Sequence, residues 1–465
     1  MDARLLCLSL FGGYYPSNIH PVNLPVLPFA LLAAVLLPVL AIAQVTPHPS
    51  DATHAPPPGF TALFNGIDLA GWWGAGPEDP LKSMALPPED LRRKQTASLD
   101  ALRRHWSVQN RELVSDGKGL FLTTDKDYGD FELLVDYKTV PLADSGIYLR
   151  GCPQVQIWDS TEEAKFHLGA DKGSGGLWNN APGSPGKNPL VKADKPFGEW
   201  NQLRILMAGS RVWVWLNGQP TVDGAVLENP FAPGQPVPPR GPIQLQTHGG
   251  EIRWRNVFLR EIGSEEANTL LRGSDPAGFK PVFNGRDFTG WAGPVENYEV
   301  RDSALVCKAG KGGAIYTDEE FSNFIVRLEF KLPPGGNNGL AIRYPGKGNP
   351  AWDGMCECQV LDTENPKYAK IDPRQVHGSA YGMAGARRGY LHPTGEWNYE
   401  AVTVKGSTIK VELNGTEILD ADLSKVTDFM HNKPHPGKDR TRGHFGFAGH
   451  NDPVMFRNIS IKPLD

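Results

Sequence analysis

Gly59-Phe-Thr-Ala-Leu-Phe-Asn-Gly-Ile-Asp-Leu-Ala-Gly-Trp72 returns later in the chain as Gly278-Phe-Lys-Pro-Val-Phe-Asn-Gly-Arg-Asp-Phe-Thr-Gly-Trp291. A long-period repeat of this kind decides the architecture before any local pattern is read. Further landmarks recur in the same order. Gly198-Glu-Trp-Asn201 returns as Gly395-Glu-Trp-Asn398, and each leads to Leu-Asn-Gly, at Leu216–Gly218 and Leu413–Gly415. Arg253-Trp-Arg-Asn256 returns as Met455-Phe-Arg-Asn458. The chain is a tandem duplication. Each copy has the length of a whole domain, over 58–262 and 277–465, and the polar stretch 263–276 reads as a short linker.

Within each copy the local signal is strand. Phe131–Lys138 and Phe324–Lys331 are short and apolar-rich, and Ser210–Leu216 and Thr408–Leu413 run into Asn-Gly, a hairpin signal. Arg253–Leu259 and Met455–Ile461 alternate and close each copy. The expected fold class is therefore all-β, two sandwiches in tandem. One helical insertion, Pro88–His105, interrupts the first copy and has no counterpart in the second.

The 465 residues include 52 Gly, 41 Pro and 12 Trp, which fits turn-rich strands rather than helical bundles. The net charge of −5, with no basic run interleaved with aromatics, argues against nucleic acid as a partner. Val26–Ile42 is apolar apart from Pro28 and Pro38 and ends in Ala41-Ile-Ala43, the pattern of a cleaved leader over 1–43. A disordered linker is expected over 44–57. The protein is expected to be exported, periplasmic or extracellular, meeting a membrane only through an uncleaved leader. Cys152, Cys307, Cys356 and Cys358 are too few for a disulfide framework. Cys356 and Cys358 share one strand face and read as small buried residues. There is no Walker loop, no strand-linked G-x-G-x-x-G, no H-E-x-x-H and no G-x-S-x-G, so nucleotide cofactors are disfavoured.

The chemistry concentrates in a pair of mid-domain strands. Copy one reads Asp144–Arg150, then Gln154-Val-Gln-Ile-Trp-Asp159; copy two reads Asn338–Arg343, then Glu357-Cys-Gln-Val-Leu-Asp362. Alternation puts Gln154, Gln156 and Trp158 on one face, and Glu357 with Gln359 opposite Cys358 and Val360. Amides and carboxylates satisfy sugar hydroxyls, and an indole offers a plate for a sugar ring. The bland reading is a solvated strand face. Arg150 and Arg343 recur at a strand end, where each could hold Asp159 or Asp362 or polarise a substrate oxygen. His377, in His377-Gly-Ser-Ala-Tyr381, lies in a Gly-rich turn without a histidine counterpart in copy one. His248 and His450 share a second repeated position before the last strand.

These motifs, in this order and twice over, resemble the 3-keto-disaccharide hydrolase family, and the likeness covers nearly all of the mature chain. The resemblance implies concanavalin A-like jelly rolls with a sugar cleft on a concave sheet. It also implies an oxidised di- or oligosaccharide as substrate. A C3 carbonyl acidifies the C2 hydrogen, and the glycosidic oxygen on C1 lies β to that carbonyl. A base removes the proton, an electrophile holds the enolate, an acid assists the leaving oxygen, and water adds afterwards. No cofactor is required, and a divalent cation is allowed for. From position and chemistry, Glu357 or His377 is cast as base, Arg343 or a bound cation as enolate stabiliser, and Asp362 as orienter or metal ligand. Gln359, Tyr381, His450, Arg150, Gln154, Gln156, Trp158, Asp159 and His248 are cast as substrate-binding. Gln154 replaces the carboxylate of Glu357, so copy one is expected to bind sugar without cleaving it. The alternatives are a lectin-like binding protein, a hydrolase of unoxidised glycans and, more distantly, an adhesin.

Overall fold

The computed structural model describes residues 55–464, so the expected leader and most of the linker after it lie outside the described residues. Each copy is a sandwich of a large and a small antiparallel sheet. In the first, the large sheet runs Gln219–Val226, Arg211–Leu216, Asn201–Ala208, Phe131–Thr139, Ile252–Glu261, Glu112–Ser115, Trp106–Gln109, and Thr61–Ala62 adds to Ile252–Glu261. Its small sheet runs Trp72–Ala75, Phe121–Thr124, Gln244–Leu245, Asp144–Leu149, Cys152–Trp158. The second copy repeats the plan. Its small sheet runs Trp291–Ala292, Gly312–Phe321, Gly443–His450, Asn337–Tyr344, Cys356–Leu361.

Period-two alternation fills the space between the sheets. Leu133, Val135 and Tyr137 meet Ile147, Val155 and Leu245 in the first core, and Leu328 and Phe330 meet Ile342, Val360 and Phe447 in the second. Burying each such side chain contributes about 1.5–3 kcal/mol relative to exposure. The Asn-Gly hairpins form as expected, because Asn217 (φ 51°), Gly218 (φ 77°), Asn414 (φ 49°) and Gly415 (φ 77°) all adopt the left-handed conformation that a two-residue turn needs. Among the described residues, Cys152, Cys307, Cys356 and Cys358 are all free and buried.

The expected helical insertion forms, with an unexpected shorter helix before it, and the expected linker differs. The insertion forms a short helix α1 (Pro80–Met84) and a longer α2 (Pro88–Leu102), which lies against Trp72–Ala75 with Ser98 Oγ accepting the Gly74 amide at 2.9 Å. The stretch 263–276 is not a bare linker. It contains α3 (Ser264–Gly273), whose Ala267 and Leu271, one turn apart, pack against Leu206, Ala208 and Trp213 of the first large sheet and Tyr399 of the second. Arg211 and Glu412 close the same interface with two hydrogen bonds, at 3.1 and 2.5 Å. Among the described residues no helix is long and apolar enough to cross a membrane.

Candidate functional site

In the Cys356–Leu361 strand, Cys356, Cys358 and Val360 enter the core, which turns Glu357, Gln359 and Leu361 onto the outer face of the small sheet. Two cavities meet over this face. One, of about 190 Å³, is lined by Asn337, Trp352, Gln359, Tyr368, Gln375 and Tyr381 among others. The second, of about 390 Å³, is lined by Tyr316, Tyr344, Ala314, Ala448 and a glycine-rich rim. Glu357, His450 and Asn349 line both. Glu357 is the one carboxylate in either lining.

His450 Nε2 lies 3.5 Å from Glu357 Oε1. Hydrogen bonding and the charge of Glu357 raise the His450 pKa, so the imidazolium persists to higher pH than an ordinary histidine. With its amide nitrogen turned inward, Gln359 comes within 3.3 Å of both Glu357 Oε1 and the Asn338 carbonyl. Tyr381 Oη accepts from Gln375 Nε2 at 3.2 Å, which leaves its own proton free for a substrate oxygen. Trp352 stands over the smaller cavity on a helical turn, Pro350–Asp353, and meets Tyr381 edge-on with ring centroids 5.8 Å apart.

Gly339 pairs with Gln359 and lies diagonally across the strand pair from Glu357, and a Cβ there would lie 2.2 Å from Glu357 Oε1. A Gly339→Ala variant is expected to fold, because the side chain can swing aside, yet to displace the carboxylate. Turnover should fall about 100-fold, the cost of an ångström-scale misplacement. Thermal melting beside a rate assay separates the two effects, and a variant with wild-type turnover would show that the carboxylate position is not critical.

Two segments, 59–260 and 278–462, match the 3-keto-alpha-glucoside-1,2-lyase-like domain. The chain belongs to this family. A 3-keto-disaccharide hydrolase of Bacteroides thetaiotaomicron is 27% identical over 249 residues, covering 45% of this chain and 86% of the relative. Two solved structures from Parabacteroides distasonis, each provisionally described as a glycosyl hydrolase, are 28% and 26% identical. They cover 40% and 44% of this chain and 99% of their own, each with a TM-score of 0.36.

Within the second lyase-like domain the predicted residues divide. Glu357, Gln359, Tyr381 and His450 share the cleft. Arg343 does not reach it. It is 1% exposed and donates to the carbonyls of Ser322, Gly406 and Arg440 and to Asn323 Oδ1. This corrects its casting as enolate stabiliser, since its donors are spent on backbone. Arg150 is likewise buried, on the Gly129 and Pro238 carbonyls and Asp130. Asp362 accepts the Gly335 amide at 2.7 Å, and Asp159 accepts the amides of Leu142 and Thr161; both pin turns. His377 faces inward. Burial lowers its pKa to about 3, its Nδ1 accepts the Leu361 amide at 3.3 Å, and its Nε2 lies 3.6 Å from Glu400 in the core. It cannot serve as a base in the cleft. Among the described residues no group of three or more His, Cys, Asp or Glu is placed to hold a metal; in the cleft only Glu357 and His450 come together.

The first lyase-like domain keeps a carboxylate–imidazole pair, but on different residues. Gln154 stands where Glu357 does, and Asp144 stands where copy two has Asn337. Asp144 Oδ2 lies 3.1 Å from His248 Nδ1 and 3.0 Å from Lys165 Nζ, and its Oδ1 accepts from Gln156 Nε2 at 2.8 Å. Trp158 is on this face but is pinned through Nε1 to the Gly173 carbonyl. Sequence reasoning missed Asp144 and Lys165. It also missed Trp352, whose signal was the longer loop between the paired strands of copy two, and Tyr316 and Tyr344, which stand on strands of the small sheet.

Proposed function

We propose that the second lyase-like domain cleaves 3-keto-glycosides by elimination. The observation that carries this reading is the single carboxylate of the cleft, in contact with one histidine. Hydrolysis of an ordinary glycoside uses two carboxyl groups, about 5–5.5 or 6.5–9.5 Å apart. A 3-keto sugar needs one base and one acid, because its carbonyl makes the C2 hydrogen labile. Glu357 takes that proton, the C1–O bond breaks, and the His450 imidazolium protonates the departing oxygen. The Tyr381 hydroxyl and the Gln359 amide are the donors offered to the C3 oxygen as negative charge develops. The product ring carries a C1=C2 double bond conjugated to the C3 carbonyl, and addition of water to it completes a net hydrolysis.

The two cavities suit two rings, with the scissile bond over the Glu357–His450 pair and aromatic walls on both sides. The names of the family and of the Bacteroides relative, with their lyase and 3-keto-disaccharide chemistry, support the same substrate class. The leader-like run before Gln44 supports action outside the cytoplasm on oxidised di- or oligosaccharides.

The test offers the protein a 3-keto-glucoside beside its unoxidised parent and follows release of the leaving group, with and without added divalent cation. Release from the keto compound alone is the expected result. Saturable binding of both sugars without release would establish a lectin-like protein instead.

A further inference from the structure

We infer that the wider cavity of the second domain is built for an aromatic leaving group, so that among 3-keto-glycosides the protein prefers a sugar joined to a phenolic oxygen over one joined to a second sugar. The inference rests on the elimination reading and names the class of compound that the leaving-group half of the cleft selects.

The floor of this cavity follows from register. Glu357 pairs with Ala341, Ala341 with Gly446, and Gly446 with Tyr316, so these residues form one row across the outer face of the small sheet. At the usual spacing of strands the Cα atoms at its two ends stand about 14 Å apart. Between them the row carries nothing larger than a methyl group. Ala314 and Ala448, paired alongside, extend the same smooth floor. Tyr316 closes the far end, edge-on to Tyr344 with ring centroids 5.4 Å apart.

The rim offers little to a second sugar. The carbonyl of Gly293 accepts the Val295 amide at 2.8 Å, that of Gly313 the Tyr298 hydroxyl at 2.6 Å, and that of Gly348 the Tyr344 hydroxyl at 2.9 Å. Asn349 turns its side-chain oxygen to the Ala351 amide at 2.9 Å. These groups are already engaged, whereas the smaller cavity presents Asn337, Gln359, Gln375 and Tyr381. A hydroxyl-rich ring on the smooth floor would lose water and gain few partners, which costs free energy for each hydroxyl left unpaired. A flat unsaturated ring carries no such groups, buries apolar area against the alanines and meets the tyrosine rings favourably.

Copy one shows what fits. Its Leu122, Leu245 and Ile147 pair as Ile315, Phe447 and Leu340 do in copy two. Phe121 therefore stands where the second domain has Ala314, and Tyr148 where it has Ala341. The two rings pack with centroids 5.4 Å apart and are 5% and 7% exposed. The first domain covers this part of the face with aromatic rings of its own. The second keeps the floor bare and leaves the ring to be supplied by the ligand.

The chemistry agrees. Glu357 takes the C2 proton, the C2–H electron pair becomes the C1=C2 bond, and the C1–O pair leaves on the aglycone oxygen, which His450 protonates. A phenol, with a pKa of about 10 like that of tyrosine, holds that pair better than a sugar hydroxyl does. An aryl compound thus asks less of the acid.

The experiment gives the full-length protein a set of 3-keto-glucosides with methyl, phenyl, cyclohexyl and glucosyl leaving groups, and scores the keto-sugar product common to all. The methyl compound fills the smaller cavity alone, and the cyclohexyl compound separates apolar recognition from the ease with which a phenol departs. KM is expected to be about tenfold lower for phenyl than for glucosyl, the scale of one good aromatic contact, with cyclohexyl between them. Ala314→Phe, which installs the residue of copy one, should lower the ratio of phenyl to methyl kcat/KM about tenfold, and turnover of the methyl compound reports that the variant is folded. A glucosyl compound held as well as the phenyl one, or a ratio that Ala314→Phe does not move, would overturn the inference. Absence of product from every compound would sink the elimination reading alone. The dissociation constants of the same compounds then decide the preference, and equal values for phenyl and glucosyl would overturn it.

Discussion

Replacing Glu357 with Gln should cut leaving-group release from a 3-keto-glucoside about 10²–10⁴-fold, the usual contribution of a positioned general base. The amide matches the carboxylate in size, so the fold and the Gly339 contact survive while the proton acceptor is lost. His450 also loses the charge that raises its pKa, so the acid is weakened together with the base. Nature has placed this amide at the equivalent Gln154 in copy one. Retention of more than a third of wild-type kcat/KM would mean that the carboxylate is not the base.

The second large effect lies in the core of the same domain. Glu400 and His377 are both buried, and Cys358 Sγ donates to Glu400 Oε1 at 3.5 Å. Burial raises the Glu400 pKa to about 8 and lowers that of His377 to about 3. The folded protein therefore holds a neutral acid beside a neutral imidazole. An unfolded chain ionises its glutamate above about pH 4.5 and protonates its histidine below about pH 6.5. Above pH 6.5, unfolding releases the Glu400 proton, and stability falls at up to roughly 1.4 kcal/mol per pH unit until pH 8. Below pH 4.5, unfolding takes up a proton at His377, and stability falls again toward pH 3. Between these limits the unfolded pair carries both charges and the folded pair neither, so the proton count is unchanged and stability is level. Glu400→Gln should abolish the alkaline fall and let the acid one begin at pH 6.5 rather than 4.5, since no glutamate proton then balances the uptake at His377, as read from urea midpoints of the second domain between pH 4 and 9. A wild-type midpoint that is constant from pH 6.5 to 9 would contradict the buried protonated acid. Copy one has Leu203 at the position of Glu400 and should show neither limb.

The duplication, the sandwich class and the outward placing of Glu357 and Gln359 were legible because repeats and strand parity are written directly in residue order. The roles of Arg150 and Arg343 were not. Both end a strand with positive φ, 53° and 47°, and that local twist turns the guanidinium into backbone carbonyls rather than the cleft. A glycine-rich turn suggested exposure for His377, but the turn folds over the sheet edge and points the ring at Phe330, with ring centroids 4.9 Å apart. The polarity of 263–276 hid a helix whose apolar content is little more than Ala267, Leu270 and Leu271, enough because two sheets share it. Asp144 escaped notice because sequence comparison pairs like with like, whereas the carboxylate had moved to the neighbouring strand.

The two large sheets turn toward each other across α3, which leaves both small-sheet faces on the outside. No tunnel is implied by such an arrangement, so a compound released at one face reaches the other only through bulk solvent. Over nanometre distances diffusive escape outruns recapture. A compound that leaves one face is therefore open to capture by a chemical scavenger before it meets the other, and any coupling between the two faces is expected to strengthen with protein concentration rather than being fixed within each molecule.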